Sequence, residues 1–420
     1  MKVGGFQPVR GTKDLLSEEY YKLFHIQNVA QEIGERFGFM PVQTPIFEFQ
    51  EVFCKTLGDS TDVIGKEMYT FADRGGDVLA LRPEFTAAIV RLLLSEKMQP
   101  PARLFTAGPV FRYERPQKCR QRQFHQINYE CFGAGGSQAD AEIISLAYCV
   151  LEVFGLHCDV TLEINSLGSS ECMNAYRASL LSFFEKYRSE LSEDSRRRLQ
   201  TNPLRILDSK DATDKEILST APSIEDFYDA ETRASFEGLK DHLTNLGIPY
   251  AVNRRLVRGL DYYTGTVFEY KTSSLGAQDA IIAGGRYDNL VAAMGGENVP
   301  AIGFAGGVER LAALMSYSRT RKFCVFILPI CEEVVSHAMR ITYEIRRTLS
   351  GVQVICDTVT RLKTGIKRAD RQKADIALIL GDEEVNRNAV SCKNMLTGKQ
   401  EEISISNITE YLKAMMAERQ

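Results

Sequence analysis

The chain has 420 residues and a formal charge of −4, from 51 Lys and Arg against 55 Asp and Glu. That length buries more than one core, so two or three domains are expected, and 44% hydrophobic with 25% charged residues is the make-up of a soluble globular protein. No apolar run is long enough to span a bilayer, the opening MKVGGFQPVRGTKDLL lacks the apolar core of a secretory signal, and ten cysteines without a Cys-x-x-Cys pair exclude a zinc spacing or a disulfide framework. A cytoplasmic protein with reduced thiols and no membrane partner is expected.

Leu23, Ile26, Ala30, Ile33 and Phe37 recur at spacings of three and four. They predict a helix with one buried face, with Ser17 as its N-cap and Gly38 as its stop. FMPVQTPIFEF follows, and its two prolines favour an edge or interface strand. The stretch 79–94 is read as a return to helix after the loop LRPE. ARLFTAGPVFRYE, QFHQINYECFG and VTLEINSLG have strand character, and a helix from Asp140 to Phe154 separates the last two. Together they predict an α+β arrangement, an antiparallel sheet carrying helices.

Residues 170–235 are rich in charge and in helix formers and show no strand pattern, which predicts a helical insertion. Its run Arg196-Arg197-Arg198 fits a solvated helix face better than an RNA contact. Sheet character resumes at RGLDYYTGTVFEYK, AQDAIIAGGRYDNLV and PAIGFAGGVERLAALM. Beyond residue 320 strands and helices alternate, from FCVFILPI to a closing helix. The expected division is a catalytic domain over 1–320, containing the insertion, and a small α/β domain over 323–420 with a mostly parallel sheet.

Three clusters carry the chemistry. In FRYERPQKCRQRQFHQ, residues 111–126, the cations Arg112, Arg115, Lys118, Arg120 and Arg122 are opposed only by Glu114. Positive charge concentrated on an acidic protein suggests a polyphosphate or a nucleic-acid end, though alone it fits a solvated basic hairpin as well. AIGFAGGVERLAALM places Gly306-Gly307 before a helix with Arg310 in its first turn. Such a turn lets a phosphorylated ligand approach the backbone, although packed strand-to-helix turns are commoner. RGLDYYTGTVFEY joins Arg258 and Gly259 to two tyrosines whose hydroxyls can bond an imidazole or an amine. In RPEFT, Glu84 can pair with an ammonium group.

In combination and in this order, the clusters resemble the histidyl-tRNA synthetases, a class II aminoacyl-tRNA synthetase family, over essentially the whole chain. Gly38, Phe39, Val42, Pro45 and Ile46 look like motif 1, the dimer-interface helix and strand. FRYERPQKCRQRQFHQ is similar to motif 2 and GFAGGVERL to motif 3. RGLDYY and GGRYDNL are specific to the histidine enzymes. The C-terminal domain resembles the anticodon-binding domain of several class II synthetases.

The resemblance implies a homodimer that activates L-histidine with ATP and Mg²⁺ and transfers it to tRNA(His). Arg112 would bind the ATP α-phosphate, Glu114 would contact adenine, Phe124 would stack on it, and Arg310 would neutralise the terminal phosphates. Arg258 would face Arg112 across the α-phosphate, where charge develops as the histidine carboxylate attacks. Glu84, Phe85, Thr86 and Gln126 would form the amino end of the histidine site. Glu130 and Tyr263 would read the two imidazole nitrogens, with Tyr262 and Tyr287 completing the pocket. A site that hydrogen-bonds both nitrogens rejects analogues by about 10⁴ to 10⁵ without editing. Arg115, Gln117 and Arg122 would meet the tRNA acceptor end. Cys119 stands where the family commonly has glycine, and Phe85 where smaller residues are frequent.

Two alternatives are a catalytically silent paralogue, such as the regulatory subunit of ATP phosphoribosyltransferase, and a synthetase for threonine, proline or glycine. The three arginines and the long C-terminal α/β segment argue against the first. RGLDYY and GGRYDNL argue against the second.

Overall fold

Strands with apolar side chains on alternate positions assemble the main sheet, in a computed structural model that describes residues 6–57, 63–117, 119–276 and 279–419. The chain divides into two compact units, Met1–Tyr317 and Ser318–Gln420. In the first, eight strands lie in the spatial order Met40–Pro41, Ala102–Phe111, Gln123–Phe132, Ala301–Gly307, Ala280–Arg286, Thr264–Lys271, Thr161–Ser166 and Ala251–Val252. The six inner strands pair antiparallel, and each two-residue edge strand pairs parallel. Pro41 thus sits on an edge, where a missing N–H does least harm.

One face of this sheet is covered by helices Ser17–Arg36, Gly136–Val153 and Ala230–Asn245, whose Leu23, Ile26, Ile144, Leu151, Leu239 and Leu243 share a core with Ile127, Tyr129 and Phe304. Tyr129 is the centre of that contact: its hydroxyl donates to the Ala30 carbonyl at 2.7 Å. Its ring packs against Phe39, Phe105 and Phe304. A side chain at Gly34 would place its Cβ 2.9 Å from that ring, so glycine is what lets the first helix come so close. Arg286 of GGRYDNL ties the middle helix down, forming a buried ion pair with Asp140, which also accepts from the Thr266 hydroxyl at 2.6 Å.

Two details differ from the reading of the sequence. Leu16 rather than Ser17 caps the first helix, with no side-chain bond, and Ser17 is the first helical residue at φ +47°. Residues 79–81 are not helical. They belong to strand Val78–Leu81, the centre of a three-stranded sheet with Phe47–Phe49 and Thr70–Ala72. Pro83 pushes Arg82 away from helical geometry, so the helix starts only at Thr86.

The insertion is helical throughout, with helices Ser170–Glu185, Glu193–Thr201 and Ala212–Leu218 joined by tight turns. The boundary at 235 cuts helix Ala230–Asn245, which packs with the sheet core. Arg197 pairs with Asp194 at 3.1 Å, and Arg198 donates to the Arg205 carbonyl at 3.2 Å.

In the second unit, FCVFILP forms the central strand Phe323–Pro329, buried on both faces. Phe323, Val325 and Ile327 join helices Val335–Thr348 and Ile408–Glu418, whereas Cys324, Phe326 and Leu328 join helix Leu362–Arg371. That two-sided burial explains the unbroken apolar run. The sheet is mixed rather than mostly parallel: Val352–Cys356, Phe323–Pro329 and Ile376–Leu380 run parallel, and the hairpin Ala389–Asn394 and Gln400–Ser404 adds two antiparallel strands.

Arg82 fastens the small sheet to the large one. It is 1% exposed. Its Nε donates to Pro109 O at 2.9 Å, and its Nη1 to Thr44 O at 2.8 Å and Pro45 O at 3.2 Å. Burial lowers its pKa to about 10. Arg82→Met is expected to strand these carbonyls and cost about 3–5 kcal/mol in urea unfolding. A loss under about 1 kcal/mol would show that the anchor is dispensable.

Candidate active site

The face of the large sheet away from its covering helices floors a cavity of about 380 Å³. Strand Gln123–Phe132 shows how the pleat divides labour: Phe124, Gln126, Asn128 and Glu130 line the cavity, while Ile127, Tyr129 and Cys131 enter the helix-packed core. Around this floor stand Glu84 and Thr86, the loop residues Arg112 and Glu114, and Arg258, Tyr262, Tyr263, Tyr287 and Arg310. The three arginines expected to share one ligand therefore line one cavity, from segments far apart in the chain.

Each guanidinium is held by its stem or by one edge. Arg112 Nε donates to Pro83 O at 2.9 Å, and its guanidinium lies 5.5 Å from the Phe124 ring centre. Arg258 pairs with Glu269 and lies 5.7 Å from the Tyr263 ring centre. Arg310 donates to the Ala280 carbonyl. Burial lowers the pKa of Arg112, opposed by Glu67 and Glu84, with Arg258 lowering it further. Burial also lowers that of Arg310, and the positive fields of Arg112 and Arg120 add to the effect. For Arg258 burial acts downward too, but Glu269 and Tyr263 outweigh it and raise the pKa. Arg112 thus feels Arg258, and Arg310 feels Arg112, so a polyanion placed among these cations relieves their repulsion.

The other end of the cavity is built for a small polar ligand. Glu130 is 1% exposed. Its carboxylate accepts from the Thr86 hydroxyl at 2.6 Å, from the Asn128 amide and from the Tyr287 hydroxyl. Burial pushes its pKa up to about 8, against those hydrogen bonds. A Cβ at Gly303 would collide with this carboxylate and stand 2.5 Å from Tyr129 O, so only glycine fits there. Glu84 caps helix Thr86–Ser95, accepting from the backbone N–H of Thr86 at 2.6 Å and of Ala87 at 2.7 Å, while burial raises its pKa. Tyr262 packs 4.7 Å from Tyr263 and 5.6 Å from Tyr287. Among the described residues, two buried polar atoms of this lining have no hydrogen-bond partner: Arg258 Nε, a donor, and Gln126 Oε1, an acceptor. A ligand with an anionic end and an ammonium group satisfies both.

Among the described residues, Phe85, Arg115, Gln117 and Arg122 do not line the cavity. Phe85 is fully buried beneath Arg82, 4.3 Å from its guanidinium, which places it in the wall behind Glu84. Gln117 and Arg120 exchange backbone hydrogen bonds at 3.0 Å in the motif 2 hairpin, and Arg115 and Gln117 are exposed. Arg122 stacks 3.8 Å over Tyr113. Lys118 lies outside the described residues. Cys119 has φ +58°, the left-handed conformation that glycine adopts without strain.

The cavity also contains residues to which the reading of the sequence assigned no role in the site: Glu67, Arg120, Asn128, Arg205 and Gly303. Asn128 follows from the alternation between Gln126 and Glu130. Arg120, although part of the cationic run, turns inward and pairs with Glu114. Glu67 and Arg205 carry no local signal. Glu309, next to Arg310, accepts from the His125 backbone N–H at 2.9 Å and bonds its ring at 2.8 Å, which fixes motif 3 to motif 2.

A carboxyl whose pKa is raised on folding binds more protons in the folded than in the unfolded chain between the two values. Stability is then lost as pH rises across that window. For Glu130 the window runs from the ordinary 4.5 to about 8. The melting temperature of Glu130→Gln is therefore expected to gain on the parent from about pH 5 to about 8 and to level off above. A constant difference in scanning calorimetry would contradict a carboxyl destabilised by burial.

Residues 11–311 match the family model for histidyl-tRNA synthetase, and residues 324–415 match the anticodon-binding domain. A histidine–tRNA ligase of Anaplasma marginale (strain Florida) is 63% identical over 421 aligned residues, covering 100% of this chain and 97% of that protein. One of Wolbachia pipientis subsp. Culex pipiens is 55% identical, covering 97% and 99%. The crystal structure of apo Staphylococcus aureus histidyl-tRNA synthetase superimposes with a TM-score of 0.79 at 32% identity, covering 97% of this chain and 99% of that one. With the cavity, its arginines and both family models in place, the chain belongs to the histidyl-tRNA synthetase family.

Proposed function

We propose that this chain is a histidine–tRNA ligase, and that the cavity performs both steps of its reaction. Histidine and ATP give histidyl-adenylate and pyrophosphate, and the histidyl group then passes to the 3′ end of tRNA(His), releasing AMP. The observation that carries the assignment of the site is the convergence of Arg112, Arg258 and Arg310 on the cavity that also holds Glu130 and the tyrosines.

In the first step a histidine carboxylate oxygen attacks the α-phosphorus, and the bond to pyrophosphate breaks. Arg112 and Arg258 flank the α-phosphate, with the unpartnered Nε of Arg258 supplying a donor at the developing charge. Arg310, at the N-terminal turn of helix Val308–Leu314, meets the terminal phosphates. Phe124 stacks on adenine, and Glu114, held by Arg120, bonds to its edge. At the other end Gln126 Oε1 and Glu84 take the ammonium group. Glu130 accepts one imidazole N–H and Tyr263 bonds the second nitrogen, with Thr86, Tyr262 and Tyr287 around them. No side chain needs to act as nucleophile: orientation and charge neutralisation supply the catalysis. Mg²⁺ would be held mainly by oxygens of the bound triphosphate and would neutralise charge there; Glu67, which lines the cavity and acts electrostatically on Arg112, is the carboxylate that would complete its shell.

A homodimer is supported by apolar side chains exposed on one stretch of the motif 1 region and the small sheet, Met40, Ile46, Phe47, Phe49, Phe71 and Val78. Arg115, Gln117 and Arg122 stand outside the cavity, where an acceptor end would pass. In the second unit Lys363, Lys367, Arg368 and Arg371 are exposed on or beside one face of helix Leu362–Arg371, which suits an RNA backbone. No helix among the described residues is long and apolar enough to cross a membrane. A cytoplasmic location fits the substrates.

Histidine-dependent exchange of labelled pyrophosphate into ATP tests the assignment; no exchange in a folded, Mg²⁺-supplied sample would reject it. Arg258→Ala is expected to lower kcat for exchange by about 10²-fold or more while the histidine KM changes within about threefold, since its charge acts on the transition state. Equal losses in both would remove that role. Lys367→Glu with Arg371→Glu is expected to raise the KM for tRNA at least about tenfold and leave exchange unchanged. An unaltered tRNA KM would take this helix out of RNA binding.

A further inference from the structure

The helical insertion reaches the active site through a single cation. Arg205 sits in the 3₁₀ turn Pro203–Asp208 and lines the catalytic cavity, where its Nη2 stands 3.8 Å from the Cβ position of Gly259, the neighbour of Arg258. Its flanking residues Leu204, Ile206 and Leu207 are buried in one cluster with Leu256, Tyr262 and Tyr263. Arg205 itself is half-buried. The turn thus packs its apolar residues on the pocket wall while Arg205 lines the cavity.

Polar groups fix this turn from both ends. Asn202 accepts from the Leu204 N–H at 3.2 Å and donates to Asp261 Oδ1 at 2.9 Å, linking the turn to the RGLDYY loop. Arg198 donates to the Arg205 carbonyl at 3.2 Å. At the exit Ser209 donates to Asp214 at 2.6 Å, and that buried carboxylate also gathers the Ser192 N–H and the hydroxyls of Ser192 and Ser195. Burial alone would raise the pKa of Asp214, but these donors outweigh it and hold it below the usual range. A solvated surface arginine needs no such scaffold.

We propose that Arg205 is a fourth phosphate-binding guanidinium of this active site, delivered by the insertion to the side where Arg258 acts. The inference rests on the functional reading above and extends it. The phosphate belongs either to ATP or to the last nucleotides of the RNA, the two phosphate-bearing substrates of the proposed reaction. Half exposure suits a ligand that comes and goes, and the planar fork suits phosphate oxygens.

The test compares the full chain with Arg205→Ala and Arg205→Lys in two titrations that need no turnover. One is calorimetry with ATP and Mg²⁺, and the other is filter binding of a tRNA acceptor minihelix ending in CCA. Melting temperatures establish that each variant is folded, and the lysine variant serves should the alanine variant fail to fold. Arg205→Ala is expected to weaken at least one ligand by about fivefold or more, with Arg205→Lys recovering part of the loss. Loss confined to ATP assigns the nucleotide phosphate. Loss confined to the minihelix, with a salt slope shallower by roughly one, assigns the RNA phosphate. Both affinities within twofold of the parent would overturn the proposal. Because neither titration depends on histidine, that result is separable from a failure of histidine-dependent exchange.

Discussion

Like charges held together against their repulsion are the constraint around which the catalytic unit is arranged. Arg112, Arg258 and Arg310 come from a strand end, a loop after the insertion and a helix start, yet they line one cavity, where Arg258 lowers the pKa of Arg112 and Arg112 that of Arg310. Each is tethered within the cavity wall: Arg112 by the Pro83 carbonyl, Arg258 by Glu269 and Arg310 by the Ala280 carbonyl. A protein without a polyanionic ligand has no use for such an arrangement, because burial and mutual repulsion both work against it. Under the proposed function a bound triphosphate would reverse the balance, with the arginines already in place before it arrives.

The opposite end of the cavity follows the same logic with smaller charges. Glu130 is buried, and the hydroxyls of Thr86 and Tyr287 and the Asn128 amide fix its orientation. Gly303 keeps the neighbouring strand clear of it. Under the proposed function an imidazole N–H would meet this fixed carboxyl group, and a side chain without such a donor would leave it unpaired, which is how a small site gains selectivity. Rigidity comes from the sheet, because the same strand that points Glu130 into the cavity points Tyr129 into the helix-packed core.

Much of this was legible in the sequence wherever one local pattern decides the outcome. The helix over 17–36, the antiparallel strands and the glycine-rich turn before Arg310 follow from periodicity and turn chemistry. Tertiary demands overrode local pattern elsewhere. Apolar Val78–Leu81 resembled the start of a helix, and the partner strands that make it a sheet centre come from residues 47–49 and 70–72. At the end of the second unit the polar-edged segments near SCKNM and EEISIS stand out in the sequence, but nothing local says that they pair antiparallel with Ile376–Leu380 and with each other. Within the site, Asn128 was not picked out, although strand alternation between Gln126 and Glu130 places it on the same face. Glu67, Arg205 and Gly303 depend on which segments the fold brings together, and no local signal marks them. Phe85 stood next to Glu84 in sequence, but its ring faces Arg82.

The insertion, by this account, is part of the pocket's construction. Its turn at Pro203–Asp208 packs on the loop bearing Arg258, Tyr262 and Tyr263, and Asn202 bonds that loop directly. The central claim, a shared phosphate site beside an imidazole slot, is tested most directly by a crystal structure with histidine and an ATP analogue that cannot transfer its adenylyl group. The account predicts the guanidinium groups of Arg112 and Arg258 on either side of the α-phosphate, Arg310 on the terminal phosphates and the imidazole against Glu130. A triphosphate bound elsewhere, or a histidine ring pointing away from Glu130, would contradict it.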